Sequence, residues 1–457
     1  MTTDSMMDLS SVELGEKATK YRRITPSGIF EDLSDCFHES SFGQVDFEKQ
    51  YASSYFIRLE ALRESIMQAA SHKWVQSGRI KPSQLVGHVK AYKSEESEVV
   101  LVGVLFKDMV LKPNVLNDIQ NNLKISDQFM QYPSVTEISH KVGEQDLLFI
   151  EDMEARLQLN FVEKSGLDKL PTGLVVAILG KVNDKGFLNV HDLCLPGYAA
   201  PAEIPRSQSA PEYVAFLSGL QLGSPKSDPM PIQLLRDFLM GVGMNDEDKA
   251  LASSVVRVVV AGDSLYLSTE KDPTGSALSE ADVFFCEIAS IVPVDLMSGP
   301  RDPVNYCLPQ QPLHSGLFPE AKRYKNMNVR TNPFKFKIGQ TVFLGTSGQN
   351  VSDVVQFTSL NSGIEALDLI AQSRYMAPTA PDTTGCYPFT MKDPLVMTSE
   401  APHFVFAGNQ LRTECRSICD GRGNLACISD FSLSPSLLLV NVHDVTDFKI
   451  IEFASLS

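Results

Sequence analysis

Five short polar loops constrain the fold of this 457-residue chain, because each follows or interrupts an apolar run of β type. They read SGLQLG at 218–223, VVVAGDSL at 258–265, SGPRDP at 298–303, GTSGQNVSD at 345–353 and FVFAGNQL at 404–411. Helical patterns, PIQLLRDFLMGVG and SEADVFFCEIAS, separate the first three runs. Strands that alternate with helices predict an α/β domain with short loops at its strand ends. A linker rich in Pro, Ala and Ser at 196–211 precedes this domain, which we place over residues 201–457.

Residues 81–200 carry short runs of β type instead, among them EVVLVGVLF, DLLFI, ARLQLNFV, LVVAILGKV and FLNVHDLCL. One short helix is predicted at 115–122. Five or six strands with one helix predict a small closed β-barrel of the oligonucleotide-binding type, the OB-fold. Such barrels bind single strands through aromatic side chains and basic grooves. The strands here carry few aromatic residues, which favours protein binding over nucleic-acid binding.

The N-terminal part is predicted to be a polar arm over residues 1–44, extended or partly ordered, followed by a long helix over 45–80. The helix has an apolar stripe with steps of three and four residues, formed by Phe47, Tyr51, Tyr55, Leu59, Leu62, Ile66, Ala70 and Trp74. Charged residues are expected on its other side, at Arg58, Glu60, Arg63 and Glu64. The stripe predicts docking on the rest of the protein, with a partner-binding helix as the alternative.

The charge of the chain argues against stand-alone DNA binding. The sequence has 40 basic and 56 acidic residues, a net charge of −16, whereas affinity for nucleic acid depends on neutralising phosphates with Lys and Arg. Residues 1–20 lack the apolar core of a secretory signal, and no apolar run approaches the length of a membrane span. We therefore expect neither a membrane partner nor much direct contact with DNA.

The eight cysteines are scattered, which favours free thiols in a reducing compartment. Cys415, Cys419 and Cys427 lie close together in sequence, but their spacing fits no standard zinc pattern and a fourth ligand is not obvious. Two interpretations stay open for this segment. It is a polar surface insertion, or it holds a metal.

The order of the five loops resembles the calcineurin-like phosphoesterase superfamily, whose active members hold two metal ions on Asp, His and Asn at these places. The resemblance implies a β-sandwich flanked by helices. It also implies that Asp-x-His has become Gly219 and Gln221, that Gly-Asp survives at Asp263, and that Gly-Asn-His-Asp reads Gly-Pro-Arg-Asp at 299–302. The remaining His positions fall on other residue types. The vestigial positions are Gly219, Gln221, Asp263, Pro300, Arg301, Asp302, Ser347, Asn409 and Leu411.

These replacements predict the loss of the binuclear metal centre and of enzymatic activity. Two divalent ions need several carboxylates and imidazoles, and Asp263 and Asp302 alone supply two carboxylates. Arg301 adds a positive charge where a cation would lie, and Pro300 lacks a backbone donor. Asp263 and Asp302 are expected to hydrogen-bond the N–H groups of nearby turns. An active phosphodiesterase or 3′–5′ nuclease remains the alternative.

An OB-fold followed by an inactivated phosphoesterase domain resembles the B-subunits of replicative DNA polymerases. Within them, long strings are similar to the small-subunit family of DNA polymerase delta, chiefly GPRDPVNYCLPQQPLHSGLFP at 299–319, FLGTSGQNVSDV at 343–354 and APTAPDTTGCYPF at 377–389. This resemblance implies a non-catalytic accessory subunit of the polymerase, located in the nucleus and acting in replication and repair synthesis. It implies no cofactor in this chain, and a metal or iron–sulfur cluster in the cysteine-rich C-terminal module of the catalytic subunit.

The resemblance also implies two direct partners, the catalytic subunit and the third subunit, with the sliding clamp reached indirectly. Candidate interface residues lie in the strand-end loops: Arg301, Gln310, Gln349, Asn350 and Asp353. The alternative for these residues is internal hydrogen bonding of long loops. A single-strand DNA binder that uses the barrel is a third hypothesis for the chain, beside the scaffold and the nuclease.

Overall fold

The computed structural model describes residues 23–42, 51–89, 98–112, 136, 139–161, 166–204, 210–225, 228–243, 245–266, 274–397 and 401–453. The short helix predicted at 115–122 lies outside these residues, as does Phe47 at the start of the predicted helical stripe. No helix in the described part is long and apolar enough to cross a membrane.

Residues 23–42, the described part of the predicted arm, lie along the C-terminal domain. Phe30–Asp32 forms strand β1, which pairs antiparallel with residues 336–338. Nearer the N-terminus, the Arg23 guanidinium donates to the carbonyl oxygens of Ala252 at 2.9 Å and Val255 at 2.8 Å. Phe37 is buried at the other end of the segment. This segment is therefore an integral part of the fold.

Helix α1 spans Ala52–Ala70 and continues into a π-helical turn over Ser71–Val75. The apolar stripe from Leu59 to Trp74 is buried against both the barrel and the C-terminal domain. The Trp74 indole N–H also finds a partner, the Asp192 carboxylate at 2.9 Å. The helix thus docks on the body of the protein through the face that its periodicity indicates.

Arg58 lies in the interior rather than on the solvent side of α1, where the sequence places it, and it is fully buried. Its guanidinium donates to the carbonyl oxygens of Gly173 at 2.7 Å, Pro378 at 2.9 Å and Ala380 at 2.6 Å. It also lies 3.5 Å from the centre of the Tyr375 ring. A buried guanidinium needs such acceptors, and these come from both domains, so Arg58 joins the helix, the barrel and the C-terminal domain.

The predicted barrel is confirmed, and it contains the strands β2 (Val99–Asp108), β3 (Leu147–Glu151), β4 (Arg156–Phe161), β5 (Val175–Val182) and β6 (Leu188–Cys194). It closes in the order β2-β3-β4-β6-β5, with β4 and β6 parallel. Leu101, Leu148, Ile150 and Ile178 fill its interior, as the alternation of apolar residues along a small barrel requires.

The C-terminal domain has two mixed sheets packed face to face. The first contains β7 (Tyr213–Leu217), β8 (Val255–Val260), β9 (Val294–Met297), β10 (Met327–Arg330), β16 (Ser436–Asn441) and β17 (Asp444–Glu452) in the order β10-β9-β8-β7-β16-β17. The second contains β11 (Phe334–Ile338), β12 (Thr341–Thr346), β13 (Phe404–Gln410), β14 (Glu414–Ile418) and β15 (Gly423–Ser429) in the order β1-β11-β12-β13-β15-β14. Phenylalanines such as Phe216, Phe343 and Phe404 pack between them.

Helices cover the outer faces of both sheets. Three of them pack on the first sheet, α2 (Pro229–Met240), α3 (Asp246–Ser253) and α4 (Thr274–Ala289). Two pack on the second, α5 (Gln349–Gln356) and α6 (Gly363–Ser373). The Asp228 carboxylate accepts from the Met230 N–H at the start of α2, and Gly241, with φ of 72°, ends that helix in the left-handed conformation. The central strands between these layers, such as β8, are buried on both sides.

The cysteine segment is not a surface insertion. It forms the β14–β15 hairpin at the end of the second sheet, and every residue of β15 is buried. Cys415 lies opposite Ala426 and packs between the sheets, whereas Cys427 packs against α5 and α6 on the other face. Opposite orientations prevent these two thiols from binding one metal ion together.

Candidate functional site

The strand-end loops meet at one end of the sandwich. Strands β7, β8 and β9 run parallel in one sheet, and β12, β13 and β15 run parallel in the other. The carboxyl ends of parallel strands share an edge, which is where α/β proteins place their ligand sites. Gly219 follows β7, Asp263 follows β8, Arg301 follows β9, Ser347 follows β12, and Asn409 ends β13. The chain thus brings these sequence-predicted positions together.

The backbone at this end is unusual in conformation. Gln221, Asp263 and Asn409 have φ of 44°, 55° and 52°, in the left-handed region that residues with a side chain rarely adopt. Gly219 also has a positive φ, and a Cβ there would lie 2.5 Å from an Asp430 carboxylate oxygen and 2.9 Å from the Asn409 amide oxygen. Strained backbone of this kind tends to cluster at active sites, ligand clamps and switch regions.

Arg301 occupies the middle of the cluster. Its Nε donates to Asp263 Oδ2 at 2.8 Å, and its NH2 group donates to Asp430 Oδ2 at 2.6 Å. The Arg301 backbone N–H donates to the other Asp263 oxygen at 2.8 Å. The Asp263 and Asp430 side chains are 1 % and 0 % exposed, and the Arg301 side chain is 21 % exposed. One fixed positive charge therefore bridges two buried negative charges.

Asp302 holds the loop after β8. Its carboxylate accepts from the backbone N–H groups of Asp263 at 2.8 Å, Ser264 at 3.1 Å, Leu265 at 3.2 Å and Gly299 at 2.9 Å. Asp263 and Asp302 thus hydrogen-bond turns, as the sequence predicts.

The electrostatics of the cluster follow from burial. Burial raises the pKa of Asp302 to about 7, helped by the charge of Asp263 and opposed by the backbone N–H donors. Burial also raises the pKa of Asp263, while the guanidinium beside it favours the ionised form. Burial lowers the pKa of Arg301, but Asp263 and Asp430 reverse this, so the Arg301 pKa lies above its usual value and the side chain stays charged.

Asp430 is the central residue that the sequence reasoning missed. It directly follows β15, is fully buried, and accepts from Arg301 and, at 3.3 Å, from the Gln221 amide. Its own loop holds it as well, since the Ser432 N–H donates to Oδ1 at 3.1 Å. The available signal was an Asp immediately after an apolar run, the same pattern that identifies Asp263. The interpretation of that region as an insertion removed it from consideration.

Asn409 and Ser347 link the loops of the two sheets. The Asn409 amide donates to the carbonyl oxygens of Ser347 at 2.8 Å and Ala261 at 3.3 Å. The Ser347 hydroxyl donates to Gln349 and accepts from Asn332. In contrast, Leu411 is 59 % exposed, and Pro300 is half-buried beside Arg301. Most of the positions that the sequence analysis predicts to be vestigial hold the two sheets together at this end.

Four of the five interface candidates are buried, with exposed fractions of 1 % for Gln310, 5 % for Gln349, 2 % for Asn350 and 6 % for Asp353. Gln349 donates to the Gln310 side-chain oxygen at 2.9 Å, and Gln310 donates to the Asn305 carbonyl at 3.0 Å. Internal hydrogen bonding, the alternative stated for these residues, accounts for both glutamines.

Asn350 and Asp353 follow the same pattern. The Asn350 amide donates to the Met376 carbonyl at 2.5 Å. Asp353 accepts from the hydroxyls of Thr383 at 2.5 Å and Thr384 at 3.0 Å. Both side chains thus tie α5 to the segment at 376–384. Only Arg301 among the five candidates keeps partial exposure, and its hydrogen bonds are to buried carboxylates.

The residues present do not fit a binuclear metal centre. The positive charge between Asp263 and Asp430 belongs to a guanidinium, and a cation placed there would be repelled. Within the described residues, no group of three or more His, Cys, Asp or Glu side chains is placed to hold a metal ion.

Two known protein families match this chain, and each match covers one of its two domains. Residues 50–193 match the family described as DNA polymerase delta subunit OB-fold domain. Residues 214–416 match the family of B-subunits of DNA polymerases alpha and epsilon. The two matches coincide with helix α1 plus the barrel, and with most of the two-sheet domain.

Individual relatives extend over most of the chain. The DNA polymerase delta small subunit of Arabidopsis thaliana is 33 % identical over 414 residues, covering 87 % of this chain and 90 % of the relative. DNA polymerase delta subunit 2 of Drosophila melanogaster is 32 % identical over 446 residues, covering 93 % and 97 %. The small subunit of Saccharomyces cerevisiae is 28 % identical over 441 residues, covering 87 % and 88 %.

Proposed function

This chain belongs to the family of DNA polymerase delta small subunits and is an accessory subunit of that polymerase, and we propose that it serves as its non-catalytic scaffold. In this role it binds the cysteine-rich C-terminal module of the catalytic subunit and, at a second surface, the third subunit. The sliding clamp is reached through that third subunit. The metal or iron–sulfur cluster belongs to the catalytic subunit's module, and this chain has no cofactor of its own. The complex acts in the nucleus, in replication and repair synthesis.

The contacts between the two domains support a scaffold, because a scaffold must hold its binding surfaces in a fixed relation. Lys107 of the barrel is fully buried, lies 3.7 Å from Asp146, and donates to the Phe357 carbonyl of the C-terminal domain at 3.2 Å. Arg374 donates to the Gly197 carbonyl at 2.8 Å and to the Tyr198 carbonyl at 3.0 Å. Together with Arg58, these side chains cross the domain boundary in three places.

Close approach of the backbone reinforces the same boundary. A Cβ at Gly173, in the barrel, would lie 1.9 Å from the carbonyl oxygen of Pro378, so only glycine fits there. Gly173 has φ of 82°, which also favours glycine. The barrel and the C-terminal domain therefore meet with backbone against backbone, which disfavours relative motion of the two domains.

The ion-paired Arg301 is the observation that carries the non-enzymatic part of the proposal. We infer that the C-terminal domain has a phosphoesterase fold, in which β7, β8, β9, β12 and β13 end in the loops that held metal ligands. The guanidinium between Asp263 and Asp430 then replaces cations with a permanent internal charge. A charge of this kind holds the loops together but supplies neither an activated water nor an open coordination position.

The test is co-expression of the full chain with the polymerase delta catalytic subunit, with and without its cysteine-rich module, followed by size-exclusion chromatography. The scaffold role predicts co-elution that requires the module. Elution of this chain as a monomer in both cases would contradict the role.

Activity of the purified chain tests the nuclease alternative. A manganese-dependent assay on labelled single and double strands should give no product above the blank. Cleavage that is abolished by Asp263→Ala and kept by Asp246→Ala would overturn the non-enzymatic part of the proposal. Asp246 is a suitable control because it lies 98 % exposed at the start of α3.

A further inference from the structure

The two sheets of the C-terminal domain end in four edge strands, and three of these are blunted. Strand β1 has three residues, β10 has four, and β14 has five. Every residue of β10 is half-buried, and β14 carries the Arg416–Asp368 ion pair. Short and charged edges are how proteins avoid pairing with other chains.

The fourth edge, β17, is the longest of the four. It has nine residues, and five of them, Phe448–Glu452, pair in continuous register with β16. In the described part of the chain, no strand pairs with its outer side. A long outer edge of this kind presents free N–H and C=O groups to an incoming strand.

Phe448 and Ile450 give this edge an apolar face. They lie opposite Val440 and Leu438, which are buried between the two sheets, and directly opposed residues share a face. Phe448 is 37 % exposed and Ile450 is 40 % exposed. The row of side chains between the sheets therefore continues past the last buried strand and ends on β17, where both side chains stay partly exposed among the described residues.

The charge at this edge indicates the chemistry of its occupant. Strand β17 carries three carboxylates, Asp444, Asp447 and Glu452, against the single cation Lys449. Asp444 and Glu452 are exposed at its two ends, on a chain whose net charge is −16. A basic segment is therefore attracted to this edge, and an acidic one is repelled.

We propose that the outer edge of β17 is a docking site for an extended, basic segment of another protein, which adds as a seventh strand beside β17. Apolar side chains at alternate positions of that segment cover Phe448 and Ile450. Lys or Arg side chains at the two ends of that segment meet Asp444 and Glu452. Main-chain hydrogen bonds supply affinity, and the alternating side chains supply specificity. This site is separate from the strand-end loops and does not depend on the scaffold role.

The probe is a short fluorescent peptide with valine and threonine alternating in its centre and lysines at both ends, titrated against the full chain by anisotropy. Saturable binding that weakens with added salt is expected. Ile450→Lys and, as a second variant, Phe448→Lys should each weaken it by about tenfold or more. The matched control is Leu234→Lys, which replaces an apolar side chain that is 38 % exposed on α2 and should change nothing.

A peptide of the same length and charge, with prolines at two central positions, tests for strand addition, because proline has no N–H to donate to the neighbouring strand. It should not bind. Equal binding of the proline peptide, or an equal loss in Leu234→Lys, would overturn the proposal. Light scattering tests whether a second copy of this chain occupies the edge instead. A wild-type dimer that Ile450→Lys converts to a monomer would show this and would overturn the proposal of a partner segment.

Discussion

Replacing Arg301 by methionine should destabilise the C-terminal domain strongly, because the guanidinium neutralises two buried carboxylates at once. Methionine keeps most of the apolar volume and removes the charge together with both side-chain ion pairs, at 2.8 Å to Asp263 and 2.6 Å to Asp430. Each carboxylate then stays ionised without its partner or takes up a proton. Both outcomes cost free energy in the folded state only.

The magnitude follows from the burial of the three groups. Breaking a buried ion pair costs about 3–5 kcal/mol, since it leaves an uncompensated charge. Arg301 is 21 % exposed, so water can enter from one side, and we expect a loss near the lower limit, about 3 kcal/mol. For a domain of more than 200 residues this corresponds to a decrease in Tm of about 6–12 °C.

Differential scanning calorimetry of the full chain measures the effect. The control is Arg323→Met, because the Arg323–Glu320 pair is 70 % and 52 % exposed and should contribute less than about 1 kcal/mol. In the Arg301→Met background, Asp430→Asn should recover part of the loss, whereas in the wild-type chain it should destabilise. A decrease in Tm for Arg301→Met no larger than for Arg323→Met would refute the role of the guanidinium as an internal cation.

Three further predictions follow from the same contacts. Burial raises the pKa of Asp302 to about 7, so the stabilising contribution of its proton is present below about pH 4 and is lost as pH rises to about 7. The difference in unfolding free energy between wild type and Asp302→Asn should therefore shrink across this window, by at most about 1.4 kcal/mol per pH unit. A difference in Tm that does not change with pH would contradict this prediction. Arg58→Met leaves three buried carbonyl groups without a donor and should lower the unfolding free energy by about 3 kcal/mol or more. The barrel and the C-terminal domain should then unfold in separate calorimetric transitions. The control Arg63→Met changes a more exposed side chain and should keep one transition. In Arg301→Ala, added Mg²⁺ should raise Tm by binding the freed carboxylates while leaving the wild-type Tm unchanged, and an equal shift in both would count against this explanation.

The sequence predicts the elements of this fold where their periodicity is strong. The apolar stripe of α1, the β-rich barrel and the alternating strands and helices after residue 210 all have local signals. Apolar residues at a fixed spacing indicate which face is buried, whatever the partner of that face. The strand-end loops could be placed together for a related reason, since the ends of parallel strands share one edge of a sheet.

The buried polar contacts could not be predicted in the same way, because the two partners of each contact are distant in sequence. Arg58 looks like a surface residue on an amphipathic helix, and its acceptors lie 115 to 322 residues away. The Asp430–Arg301 pair spans 129 residues. Gln310, Gln349 and Asn350 are polar residues at strand-end loops, which usually indicates the surface, yet they are buried because their amides find hydrogen-bond partners in the interior.

The β14–β15 hairpin illustrates a further error, in which a buried strand was not recognised. Its polar and cysteine-containing sequence suggested an insertion, but GNLACIS, with the continuous apolar run LACI, forms a strand that is buried on both faces. That strand ends at Asp430, so the error also hid the second carboxylate of the Arg301 cluster. Burial on both faces removes the alternation that would have identified the strand.

The metal content of the purified full chain, measured by mass spectrometry after incubation with Mn²⁺ and gel filtration, tests the central claim most directly. We expect the wild-type chain to retain no manganese above the level of a control protein, because the Arg301 guanidinium occupies the position between Asp263 and Asp430. Stoichiometric manganese in the wild-type chain, lost on Asp263→Ala, would contradict the account and return the nuclease hypothesis to first place.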